Sequence, residues 1–99
     1  MTQICFHDAQ APQISSANVY VTSKQGLHLR SSGRLVQLAN AYEARITLCC
    51  GNKKADASSV LDILALTAGP GSCLTIQAEG QDAKRALRDI TRLLSSDTL

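Results

Sequence analysis

A chain of 99 residues builds one hydrophobic core and is too short for two ordinary domains. Hydrophobic residues make up 44% and charged residues 18%, a globular mix that excludes a largely disordered chain. Ten Lys plus Arg against eight Asp plus Glu, with only Phe6, Tyr20 and Tyr42 as aromatics, give no footprint for nucleic acid, and no run of about 18 apolar residues suggests membrane insertion.

Residues 1–16 are rich in Gln, Ser, Ala and Asp without a sustained period, and are expected to form an irregular extension ahead of a domain over 17–99. They show no basic flank followed by an apolar core, so a cytoplasmic protein is expected. Cys5 and His7 make one Cys-x-His pair, too little for a metal site. Residues 18–23 alternate, with Val19 and Val21 on one face, which predicts a half-buried strand. Lys24, Gln25 and Gly26 turn the chain. Leu35, Leu38, Ala39 and Tyr42 recur at three and four residues, which predicts a helix over about 31–42. Residues 44–50 alternate again with Ile46, Leu48 and Cys50 inward, and Gly51-Asn52 turns into a short strand around 54–57.

Ser59 and Asp62 have the form of a capping box, the hydroxyl and the carboxylate each satisfying a free N–H, so a second helix runs to about Leu66. Gly69-Pro70-Gly71 breaks it. Residues 72–79 alternate with Leu74, Ile76 and Ala78 inward, and Gly80 ends that strand. Ala83, Leu87, Ile90 and Leu94 then form one stripe of a helix over about 82–95, with Lys84, Arg85, Arg88 and Arg92 outside it. The order β-α-β-β-α-β-α with single-faced strands predicts an α+β open-faced sandwich: a four-stranded, mostly antiparallel sheet with three helices on one face. The four cysteines, Cys5, Cys49, Cys50 and Cys73, lack zinc spacing; reduced thiols, no metal and no cofactor are expected.

Gly26-Leu27-His28-Leu29-Arg30 stands between a strand and a helix. The first N–H groups of a helix lack intrahelical partners and carry the positive end of its dipole, so an anion is stabilised there. A phosphoryl group on the ring of His28 is expected to be held by backbone N–H groups and by the Arg30 guanidinium, with Ser31 and Ser32 as further donors. Reversible phosphoryl transfer is the chemistry implied.

The Gly-Leu-His-x-Arg motif at 26–30, the Ser-Val-Leu-x-Ile-Leu-x-Leu run at 59–66, the Ala-Glu-Gly turn at 78–80 and the 31-residue interval from His28 to Ser59 together resemble the histidine-containing phosphocarrier (HPr) family of the bacterial sugar phosphotransferase system. The resemblance covers about residues 18–94. It implies that His28 accepts a phosphoryl group from enzyme I, ultimately from phosphoenolpyruvate, and passes it to an enzyme IIA domain or a related phosphorelay acceptor. The protein is then a substrate of phosphotransferase enzymes and not itself an enzyme. Arg30 matches the family's phosphate-steadying arginine. Ser59 matches the serine that a regulatory kinase phosphorylates in some members, although a helix cap alone accounts for it. Leu29, Leu61 and Leu64 match positions where partners dock, and a monomer is expected. Where the family usually carries a small residue, Arg, Pro and Ala after the histidine, this chain has Leu29, Arg30, Ser31 and Ser32. The alternative reading is an HPr-like regulatory binder that no longer transfers phosphate.

Overall fold

A computed structural model of the chain describes residues 14–22 and 24–95. Of the irregular extension expected over 1–16, residues 1–13, with Cys5 and His7, lie outside the described residues. Strands β1 (Ile14–Tyr20), β2 (Arg45–Cys50), β3 (Lys53–Asp56) and β4 (Cys73–Glu79) alternate with helices α1 (Leu29–Ala39), α2 (Val60–Ala65) and α3 (Ala83–Leu94) in the order β1-α1-β2-β3-α2-β4-α3. Side by side the strands run β1-β4-β2-β3, every neighbouring pair antiparallel. This is the expected α+β open-faced sandwich.

The period of two does the sorting. Val19, Ile46, Leu48, Leu74, Ile76 and Ala78 point to one face, where they meet Leu35 and Ala39 of α1, Ile63 of α2 and Ala83, Ala86, Ile90 and Leu94 of α3 in a single core. Each fully buried Leu or Ile contributes roughly 1.5–3 kcal/mol. The other face stays wet, and there Thr75 Oγ1 donates to Asn18 Oδ1 at 2.8 Å across β4 and β1. Cys50 packs against the core while Cys49, its neighbour, takes the opposite face, and both are free thiols.

Three boundaries depart from the periodicity. β1 begins at Ile14, not at residue 18, so residues 14–16 belong to the sheet and not to an irregular extension. Ser15 and Ala17 take the inward positions there, and such small side chains give no hydrophobic signal; the pairing of Ile14 with Glu79 through Tyr20 with Cys73 sets the strand's length. α1 starts at Leu29 and ends at Ala39, after which Ala41 and Tyr42 continue only as turns, their N–H groups donating to Leu38 and Ala39. The box at the start of α2 is half formed: the Asp62 N–H donates to Ser59 Oγ at 3.2 Å, but the Asp62 carboxylate accepts the Asp56 N–H at 3.3 Å.

The Ala-Glu-Gly turn docks the way into α3 on residues 43–44. Gly80 has φ +134°, and a Cβ there would lie 2.9 Å from the Glu43 carbonyl oxygen. Asp82 fastens the same spot, its N–H donating to Glu43 O at 3.1 Å and its carboxylate accepting the Glu43 N–H at 2.9 Å.

One further link joins the turn after α1 to α3: the Tyr42 hydroxyl donates to Asp89 Oδ2, and Arg88 Nε donates to Asp89 Oδ1. The hydrogen bond raises the Tyr42 phenol above its ordinary range, because the neutral form donates, and lowers the Asp89 carboxyl, because the ionised form accepts. Asp89 therefore stabilises the fold fully above about pH 4 and ceases to do so as pH falls through its lowered value. Tyr42 stabilises it fully below about pH 10 and ceases to do so as pH rises through its raised value. Tyr42→Phe is expected to flatten the dependence of Tm on pH on both flanks, as read by thermal unfolding followed by circular dichroism from pH 2 to 11. A profile parallel to that of the parent on the alkaline side would show the link to be idle.

Candidate functional site

The histidine loop hangs between two fixed points. Just after β1, the Val21 N–H donates to Ser72 O at 2.9 Å and Val21 O accepts the Gly71 N–H at 2.8 Å. At the other end the Leu27 N–H donates to Ala68 O at 2.9 Å. Gly26, between them, is buried with φ +69°, and a Cβ there would sit 2.5 Å from Ala68 O and 2.7 Å from Gly69 Cα. The first glycine of the motif is thus required for its handedness and for backbone approach.

His28 follows in extended conformation, φ −132° and ψ −177°, and is the N-cap of the eleven-residue α1. Its carbonyl accepts the first helical N–H, from Ser32 at 2.8 Å. The N–H groups of Leu29, Arg30 and Ser31, ahead of that bond, have no carbonyl one turn back to receive them. His28 and Ser31 face each other as the partners of a capping box, the His28 side chain toward the Ser31 N–H and the His28 N–H donating to Ser31 Oγ at 2.9 Å, and Ser31 Oγ in turn donates to His28 O at 3.1 Å. The imidazole faces the Ser31 N–H in that box, and no acid stands in the first turn of α1. Arg30 is exposed two residues on, with no carboxylate at ion-pair distance among the described residues.

The two serines take a different place from the one their chemistry suggests. Both are fully buried: the Ser31 hydroxyl is engaged with the His28 backbone, and the Ser32 hydroxyl points into the protein with no partner among the described residues. Ser31, Leu35 and Ala39 share the buried stripe of α1 at intervals of four. Ser32 is corrected as a phosphate donor, since its N–H closes the helix and its hydroxyl faces inward. For Ser31 only the N–H, which faces the His28 side chain in the capping box, is left as a donor.

On α2 the apolar surplus divides. Ile63 and Leu66 are buried, Leu64 is half-buried, and Leu61 is 78% exposed. Leu29, at the start of α1, is 68% exposed, and α1 and α2 pack against each other. Ser59 is the N-cap of α2, a role worth on the order of 1 kcal/mol. The frame provided by residues 67–72 is what motif reading misses. Its only sequence signal is the Gly69-Pro70-Gly71 cluster, whose glycines admit close backbone approach.

A family model described as the phosphorylation site of the phosphotransferase-system HPr component matches residues 15–96. The chain is 42% identical over 78 residues to phosphocarrier protein NPr of Shewanella violacea, spanning 79% of this chain and 86% of that protein. To phosphocarrier protein HPr of Haemophilus influenzae it is 33% identical over 79 residues, 80% of this chain and 93% of that protein. The crystal structure of HPr from Bacillus anthracis matches with a TM-score of 0.79 at 34% identity, covering 82% of this chain and 96% of that one. The class is that of small domains that carry a phosphoryl group without being catalysts. Within it, the chain belongs to the HPr family of the phosphotransferase system.

Proposed function

We propose that His28 takes a phosphoryl group from enzyme I, fed by phosphoenolpyruvate, and hands it to an enzyme IIA-type acceptor, in sugar uptake or a regulatory phosphorelay. The observation that carries this is the placement of a half-buried imidazole at the start of a full-length helix, with the first-turn N–H groups behind it and an exposed guanidinium beside it. A ring nitrogen of the neutral imidazole gives its lone pair to phosphorus as the bond from phosphorus to the donor breaks. The N–H groups of Leu29, Arg30 and Ser31 and the Arg30 fork stabilise the phosphoryl oxygens. Attack by the acceptor then breaks the nitrogen–phosphorus bond and returns the ring to its first state. Because transfer depends on positioning and charge, the rest of the machinery belongs to the partners.

Leu29 and Leu61, exposed on adjoining helices, form the apolar contact for those partners, together with half-buried Leu64. No helix among the described residues is long and apolar enough to cross a membrane, which suits a cytoplasmic carrier. Ser59 is read first as the cap of α2; phosphorylation there would add about −1.5 to −2 charge beside the docking face and weaken partner binding.

The test is incubation with the cognate enzyme I and labelled phosphoenolpyruvate. An acid-labile label on His28 is the expected result. Arg30→Ala is expected to slow labelling about ten-fold, the equivalent of one charge-assisted hydrogen bond, without lowering Tm, since the side chain is exposed. If a demonstrably active enzyme I leaves the parent protein unlabelled, the regulatory binder replaces the carrier.

A further inference from the structure

Among the described residues, Thr67 is the only one besides glycines with positive φ, at +51°. A β-branched side chain avoids that region, and the residue that ends a helix in left-handed conformation is ordinarily glycine. Thr67 is held there by its N–H, which donates to Leu64 O at 3.1 Å, and by its hydroxyl. Oγ1 donates to Leu66 O at 2.6 Å and accepts from Lys53 Nζ, at the start of β3, at 3.2 Å. The five residues after Thr67 make every backbone bond that suspends the histidine loop: Ala68 O takes the Leu27 N–H, and Gly71 and Ser72 hold Val21 at the far end. Gly69 meets Gly26 at backbone contact. Two of those residues are glycines flanking Pro70, so the segment is anchored at its head by the bonds of Thr67, whose β-branched side chain is stiff at χ1 and keeps the hydroxyl aimed at Leu66 O and Lys53.

We infer that Thr67, braced by Lys53, is a positioning residue for His28. The left-handed turn sets the height of Ala68, Ala68 sets Leu27, and Leu27 precedes the phosphoryl acceptor by one residue. This rests on His28 as acceptor and adds a strut from the β2–β3 hairpin to the site. Misplacement of a reacting group by about 1 Å costs up to ~100-fold in rate, so partial loosening is expected to cost roughly ten-fold.

Thr67→Gly relieves the left-handed strain and is expected to leave Tm unchanged or higher. Even so, amide exchange at Leu27 should quicken about ten-fold, the 15N resonances of the His28 ring should shift, and kcat for labelling by enzyme I should fall roughly ten-fold at unchanged KM. Thr67→Ser, which keeps the hydroxyl bonds, is expected to restore most of the exchange protection, and Thr67→Val is not. Exchange at Leu27 and ring resonances both indistinguishable from the parent in Thr67→Gly would overturn the role. If both move while the parent takes no label, the strut stands and the phosphocarrier reading falls by itself.

Discussion

Gly26→Ala is expected to lower Tm by on the order of 10–20 °C and to remove most phosphoryl acceptance in the fraction that remains folded. Two costs combine. A left-handed backbone at an L-residue costs roughly 1–2 kcal/mol, and the new methyl would lie 2.5 Å from a backbone oxygen and 2.7 Å from a backbone Cα, atoms that no rotamer change moves aside. The contact is relieved only by parting the loop from residues 68–69, which sacrifices the Leu27 N–H bond to Ala68 O, about 0.5–1.5 kcal/mol net. Together these approach about 2–3 kcal/mol, and a domain of this size loses about 4–8 °C for each. The same parting displaces His28, so labelling by enzyme I should fall about 100-fold even below the new Tm. Thermal unfolding and initial labelling rates measure the two effects. An Ala variant melting within a couple of degrees of the parent would mean that the loop does not lie against residues 68–69.

Gly26 also marks how far local pattern carries. Alternation exposed Val19, Ile46, Leu48, Leu74, Ile76 and Ala78 as inward-facing because the sheet has only one covered face, so burial and sequence share a period of two. The same logic failed at Ser15 and Ala17, whose inward positions are filled by side chains too small to register, and where seven-residue pairing with β4 decides. At the site, the motif showed the helix start and its cation because both are consequences of adjacent residues. Ser31 misled for a physical reason: serine favours the N-cap, but here it occupies the third helical position and serves the backbone of the real cap, His28. The suspension of the loop from residues 68–72 depends on contacts more than forty residues apart in sequence, for which no local period exists. Gly69-Pro70-Gly71 was legible as a helix breaker, and its second task, receiving the backbone of Gly26, emerges only when the chain is folded.

His28→Ala is expected to abolish acid-labile labelling while leaving Tm within a few degrees of the parent, a separation that Gly26→Ala does not allow. The bonds that start α1 at this residue are all backbone: its N–H to Ser31 Oγ, its carbonyl to Ser31 Oγ and to the Ser32 N–H. The imidazole, which faces the Ser31 N–H in the capping box, is only half-buried, and alanine keeps all three of these backbone bonds. Losing the side-chain half of a cap while the backbone bonds stay costs about 0.5 kcal/mol, the low end for a cap, equivalent to roughly 2–4 °C here. Labelling should drop to background because no other histidine stands in residues 14–95 and the remaining hydroxyls at the helix start face inward. Label that survives in His28→Ala would place the acceptor elsewhere, and a large loss of Tm would mean that the ring supports the fold. Because the helix start is held by backbone bonds and the Ser31 hydroxyl, the ring can gain and lose a phosphoryl group while the helix that presents it stays in place, which is the physical requirement of a carrier that must return to the same state after every transfer.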